Sequence, residues 1–166
     1  MSQPSPPPRA NCFDASALVK VFTREAGSEL VFEYFANRSP TKYTTPFCFY
    51  ETLGVLKTKW LYRKELTNQQ YTDAAFHLVA WFEASTRSAQ DIDLRDPIVF
   101  FKVRQLAERH SLDLSDAFQI LSVKEGHFSH LINDSQTVLV TADENLAKVA
   151  RSEGVRAWYC LGEPEP

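Results

Sequence analysis

Apolar positions along the chain fall into two rhythms that alternate from one end to the other. Short apolar runs predict buried strands at Cys12-Phe13, Lys42–Thr45, Val138-Leu-Val140 and Val155–Tyr159, with Ile92 and Leu94 marking a further short one. Between them lie stretches of helical period. Phe49, Leu53, Leu56 and Trp60 recur at spacings of four, three and four, the core-facing stripe of a long helix from which Glu51 is displaced.

The helix boundaries carry their own signals. Asp14-Ala-Ser16 turns a strand directly into the helix Ala17–Phe22, with Asp or Ser as cap. Ser28–Arg38 continues as helix, offering Leu30, Tyr34 and Phe35 to one face, and Ser39-Pro40 breaks it. Thr45 caps, and Pro46 opens, the long helix at the position where a missing N–H matters least. Thr67-Asn-Gln-Gln70 has the form of a capping box and starts a helix running to about Thr86, followed by a polar connector, Ser85–Gln90. Asp96-Pro97 opens Ile98–His110, and Ser115-Asp116 opens a helix that Gly126 is expected to end in the left-handed conformation. His127–Asn133 reads as loop, and Asp143–Ser152 as a last helix closed by Gly154.

Strands alternating with helices predict an α/β fold: a three-layer sandwich with a central, mostly parallel five-stranded sheet. One domain is expected over residues 11–160, with a flexible Pro-rich tail at 1–10 and a loose C-terminal tail at 161–166. Ligands in such folds gather at the carboxyl ends of strands, where strand order reverses. Asp14 and Asp143 are both placed at strand ends.

Composition changes this picture little. An apolar share of 44 % and a charged share of 23 % describe an ordinary globular chain. The net charge of −3 shows no basic excess for neutralising phosphates, so any nucleic-acid site must be local. Cys12, Cys48 and Cys160 are odd in number and lack CxxC spacing, which disfavours a disulfide framework or zinc knuckle and fits a reducing, cytoplasmic setting. The opening segment has no apolar core of a signal peptide, and no run approaches the roughly 20 apolar residues of a bilayer span, so no membrane association is expected.

Four acids stand out, each with an ordinary explanation beside the chemical one. Asp14 and Asp143 suit helix caps, Asp116 suits a first helical turn, and Glu51 suits a solvated surface. Gly54, one turn after Glu51, suggests a close approach of something to that helix face, with helix packing as the other reading. If the acids converge, their mutual repulsion calls for a cation, and hard carboxylate oxygens select Mg2+ or Mn2+. Such a site activates water for in-line attack on phosphorus.

In motif and order these segments resemble the PIN-domain nuclease family, especially its VapC-type toxin branch. Phe13-Asp-Ala-Ser-Ala-Leu-Val-Lys20 is similar to the family's opening strand and first acid, and Pro46-Phe-Cys-Phe-Tyr-Glu51 to the helix bearing the second. Leu112-Asp-Leu-Ser-Asp-Ala-Phe-Gln-Ile120 resembles the stretch with the third, at Asp116, and Leu139-Val-Thr-Ala-Asp143 the late strand with the fourth. Asp113 and Glu144 flank the last two, and Asp116 and Asp143 are preferred. The likeness spans about Asn11 to Tyr159.

The resemblance implies a metal-dependent endoribonuclease with Asp14, Glu51, Asp116 and Asp143 as catalytic and metal-binding residues, Mg2+ (or Mn2+) as cofactor and RNA as substrate. It further implies sheet order 3-2-1-4-5, an antitoxin protein as partner and a homodimer. Ser16 and Thr141 match small hydroxyl positions that orient carboxylates or waters, capping being their other role. The Pro-rich tail, the helical pair Pro46–Thr86 and the stretch Ser85–Asp96 have no counterpart in the family's motifs.

Lys20, Arg24, Lys57, Lys59 and Arg63 are candidates for RNA phosphate contacts, against solvated helix charge as the alternative. His127-Phe-Ser-His130 has metal-like spacing without companion ligands. An aspartyl-nucleophile phosphatase would show DxD where this chain has Ser16, and GxGxxG and P-loop patterns are absent. The rival from another class is a non-catalytic PIN-fold module that binds RNA or protein, against which the four intact acids argue.

Overall fold

The computed structural model describes residues 9–86 and 92–166. Among them, strands β1 (Ala10–Phe13), β2 (Thr41–Tyr43), β3 (Val138–Thr141) and β4 (Arg156–Tyr159) form one sheet in the order β2-β1-β3-β4. All neighbouring pairs are parallel, with Cys12 beside both Tyr43 and Leu139, and Val140 beside Trp158. Strand order reverses between β1 and β3, which places a crevice beyond their carboxyl ends.

The helices are α1 (Ala15–Phe22), α2 (Ser28–Glu33), α3 (Pro46–Leu61), α4 (Asn68–Thr86), α5 (Pro97–His110), α6 (Leu114–Glu125) and α7 (Glu144–Ser152). Parallel strands covered on both faces must bury both sets of alternating side chains; the central strands β1 and β3 do so throughout, while the edge strands β2 and β4 bury fully only Tyr43 and Trp158. Phe13, Val138, Val140 and Trp158 face a core completed by Leu18, Tyr34, Leu56 and Leu78 from α1, the segment after α2, α3 and α4. Cys12 and Leu139 face the opposite core, completed by Leu106, Ile120 and Leu146 from α5, α6 and α7. This is the expected three-layer arrangement.

The caps explain where helices begin. Thr45 accepts from the Cys48 amide at 3.3 Å, and Pro46 occupies the first turn of α3. The Thr67 hydroxyl and the Gln70 side chain exchange bonds with each other's backbone amides at 3.1 and 2.8 Å, completing a capping box ahead of α4. Asp96 caps α5 through the Ile98 amide at 2.8 Å.

Several details depart from expectation. The strand expected at Ile92 and Leu94 is a turn, so the sheet has four strands among the described residues and not five, in the anticipated relative order. Asp93 accepts from the Arg95 amide at 2.9 Å and its carbonyl from the Asp96 amide at 3.0 Å, and these local bonds replace a ladder. The helix Ser28–Arg38 changes from α to a wider π turn at Tyr34–Arg38, burying Val31, Tyr34 and Phe35 but leaving Leu30 exposed. Gly126 ends α6 in an extended conformation, φ −86°, and not in the left-handed one, whereas Gly154 does adopt φ +81°.

Ser85 and Thr86 belong to α4, and the rest of the expected connector, 87–90, lies outside the described residues, as does the Pro-rich tail up to residue 8. Ala10, assigned to that tail, is the first residue of β1. Residues 161–166, expected to be loose, are tethered: Arg151 and the Trp158 indole bind Glu163, and Arg38 binds Glu165 at 2.9 Å.

Candidate active site

Asp14 stands where β1 ends and α1 begins. Its amide continues the ladder to Val140 O at 3.1 Å, while its carboxylate turns back to cap α1, Oδ1 accepting from the Ala17 amide at 2.9 Å. The Ser16 hydroxyl spans both carboxylate oxygens at 2.8 and 3.0 Å, and the Thr141 hydroxyl donates to Oδ2. Burial pushes the Asp14 carboxyl up from 3.8 to about 6; the Thr141, Ala17 and Ser16 bonds pull it down, and the charge of Glu51 raises it further.

The same hydroxyls join the two central strands. Ser16 Oγ accepts from the Ala142 amide at 2.9 Å and lies 3.3 Å from Thr141 Oγ1, which accepts from the Asp143 amide at 2.9 Å. Asp143 follows β3 and caps α7 through the Leu146 amide at 3.0 Å. The adjacent Glu144 is instead paired with Lys148 at 2.9 Å on the outer face of α7. Register at the fourth acid therefore favours Asp143.

Asp116 lies in the first turn of α6, half-buried, with no hydrogen-bond partner among the described residues. Burial, then the negative charges of Asp14, Glu51, Asp143 and Asp113, push its carboxyl from 3.8 up to about 7. Glu51 is exposed on the second turn of α3, close enough for its charge to act on both Asp14 and Asp116. The fold thus brings the other three sequence-selected acids within electrostatic reach of Asp116.

Sequence reading missed Gln119. It is fully buried on α6, one turn past Asp116, and donates to Phe13 O and Cys12 Sγ, both at 2.9 Å. The Thr45 hydroxyl donates to its Oε1 at 2.6 Å. The available signal was a lone amide within the apolar run Ala117 to Val123, since a polar group buried in a core needs partners.

The basic candidates divide. Lys20 is buried and donates to Glu25 and to Ala26 O, both at 2.8 Å; Lys59 is paired with Glu25 and Glu65, both at 2.7 Å. Their charges are neutralised locally, about 9 and 12 Å along their helices from Asp14 and Glu51. Arg24, Lys57 and Arg63 are exposed, Arg63 4.0 Å from Glu65. His130 turns its ring Nδ1 to within 2.9 Å of the His127 carbonyl, so this pair shapes its own turn.

Among the described residues, no three His, Cys, Asp or Glu side chains converge tightly enough to clasp a metal between them. Mg2+ makes no such demand, since it is commonly held by one or two carboxylates and retained waters. The donor set here is all hard carboxylate, and mutual repulsion at Asp116 is what a divalent cation relieves. The residues fit the ion.

A parallel sheet enclosed by helices, with acids at two strand ends and on two helices within reach of one another's charge, defines an α/β protein with an acidic edge at its switch point. The chain belongs to the PIN domain family, whose model matches residues 12–152. PIN domains are generally nucleases and typically use divalent metals. No match was found among curated proteins.

Proposed function

We propose that this protein is a metal-dependent endoribonuclease, the toxin of a toxin–antitoxin pair, with Asp14, Glu51, Asp116 and Asp143 as its catalytic and metal-binding acids. The observation that carries this reading is the placement of Asp116, half-buried and within reach of the charges of Asp14, Glu51 and Asp143, so that burial first and those charges next raise its affinity for a proton. PIN membership supports nuclease chemistry, and the motif order, similar to the VapC-type branch, supports RNA and the toxin role.

In this mechanism Asp14 is the fixed member, its carboxylate plane set by Ser16, Thr141 and the α1 amide. Asp143 is fixed by its cap on α7, while Asp116 and Glu51 hold no competing hydrogen bond among the described residues and so keep their oxygens free. Mg2+ or Mn2+ bound there supplies charge neutralisation, a lowered pKa for water and polarisation of the phosphodiester. In the metal-free protein Asp116 titrates at about 7, so the cluster gains its last negative charge as pH rises through neutrality.

The decisive experiment incubates the protein with total RNA and Mg2+ or Mn2+, beside EDTA and Asp14→Asn controls. Cleavage abolished by both controls is expected; cleavage that survives them overturns the metal mechanism, and absence of cleavage on any RNA overturns the nuclease reading. Growth arrest on expression, lost in Asp14→Asn and relieved by a protein from the adjacent reading frame, tests the toxin role. Homodimerisation is supported by the apolar side chains Ile98, Phe100 and Phe101 exposed on α5, and a light-scattering mass of one chain refutes it.

A further inference from the structure

We propose that Gln119 is the positioning residue that sets the separation of Asp14, Glu51 and Asp116, acting as a buried staple between the three elements that carry them. The inference rests on the metal-dependent reading of the acid cluster.

The need for such a device comes from the sheet. β1 and β2 pair only as far as Cys12 and Tyr43, after which β2 diverges to enter α3. The Phe13 carbonyl therefore outlives its ladder partner, one residue before Asp14. Two side chains take it over: the Thr44 hydroxyl at 2.6 Å and the Gln119 amide at 2.9 Å. The Gln119 carbonyl oxygen then receives the hydroxyl of Thr45, the residue that caps α3.

One amide thus reaches three acid-bearing elements at a single point. It belongs to α6, where Asp116 lies three residues before it on the same face. It holds the residue preceding Asp14, and it holds the cap from which α3 runs to Glu51. A leucine at this position would fill much of the volume but leave the Phe13 carbonyl and Thr45 hydroxyl with fewer partners, and α6 free to slide relative to β1. Repulsion among the acids acts to drive these elements apart, and Gln119 opposes that force through bonds independent of the carboxylates themselves.

The test compares Gln119→Leu with Val123→Ala, a core truncation one turn further along α6 that touches none of these bonds. Each is measured for melting temperature, for Mn2+ affinity by calorimetry and for RNA cleavage, with wild type and Asp14→Asn alongside. Gln119→Leu is expected to weaken Mn2+ binding about tenfold or more and to lower kcat, as loss of a residue behind a ligand commonly does. Val123→Ala is expected to lower the melting temperature while leaving both nearly unchanged.

Thr45→Val is the second variant should Gln119→Leu not fold. It should repeat the loss of Mn2+ affinity, while Thr45→Ser, which keeps the hydroxyl, should restore it. Wild-type Mn2+ affinity in Gln119→Leu, or equal losses in Val123→Ala, overturns the staple and leaves the nuclease reading standing. A wild-type protein that neither binds Mn2+ nor cleaves RNA overturns both.

Discussion

Replacing Asp116 by Asn should make the metal-free protein more stable, and the gain should depend on pH in a defined direction. In the unfolded chain Asp116 loses its proton near 3.8, and in the folded protein near 7. Folding therefore takes up a proton between those values, and stability falls as pH rises through them; the penalty is absent below 3.8 and complete above about 7. At about 1.36 kcal/mol per pH unit, the full difference is roughly 4 kcal/mol. Asp116 keeps part of its surface in water, so about 1–2 kcal/mol is the expected gain, or roughly 2–8 °C in a domain of this size.

Thermal melts at pH 8 and pH 4 with EDTA read this directly. Asp116→Asn should melt higher than wild type at pH 8, with the difference mostly gone at pH 4. Saturating Mn2+, at about 100 times its Kd, should then add about 2.7 kcal/mol to wild type and little to the variant. A variant that melts at or below wild type at pH 8, or whose gain is the same at pH 4, refutes the account in which burial and the neighbouring acids together raise the Asp116 carboxyl.

Thr141→Val removes a hydroxyl that donates to Asp14 and accepts from the Asp143 amide; the Asp14 carboxyl should move above about 6, read by NMR titration of the metal-free protein, and an unmoved carboxyl counts against the network. Glu153 joins Lys124, His110 and Arg109, and these partners hold its carboxyl down at about 2. Its stabilisation is full above the ordinary 4.5 and is lost as pH falls through about 2, so Glu153→Gln should lower the melting temperature at pH 7, leave kcat unchanged, and lose its effect toward pH 2. Thr67→Ala removes half of the capping box before α4 and should cost about 1 kcal/mol in urea unfolding, with no change in nuclease activity.

The central strand β3 was legible in the chain because parallel strands buried on both faces are apolar at consecutive positions, as Val138 to Val140 are, whereas sheet order followed from the family resemblance and not from the pattern. Helix starts were legible because a cap needs a specific side chain at a specific place: Thr45, Thr67, Asp96 and Asp143 all act as their positions imply. Ile92 and Leu94 misled because two alternating apolar residues carry too little information when an aspartate between them bonds its own backbone. Gly126 misled because chain ends of helices are also set by what the chain does next, here a turn in which the Ser129 amide returns to the Gly126 carbonyl.

The site was legible as a set of acids and not as an electrostatic unit. The pattern placed the helix start at Ser115-Asp116, whereas it begins at Leu114 after Asp113, and nothing in the spacing shows that burial and the charges of Asp14, Glu51 and Asp143 raise the affinity of Asp116 for a proton. Lys20 and Lys59 looked available for phosphates because their partner, Glu25, lies in a loop that the pattern leaves unassigned. Gln119 escaped notice because its three bonds are all to residues distant in sequence, on β1 and at the start of α3.

The capping roles of Asp14 and Asp143 have a consequence for how this cleft would decay under mutation. Selection for folding alone favours Asp, Asn, Ser or Thr at those two positions, because α1 and α7 begin there whether or not the protein cleaves anything. Glu51 and Asp116 have no such protection: one is exposed on a helix surface, and the other makes the folded chain less stable. A lineage that stopped using its cleft would drift first at Glu51 and Asp116, with the replacement of Asp116 favoured outright by stability. Carboxylates at those two positions are thus the more telling mark of a working site, although the capping pair looks the more firmly held.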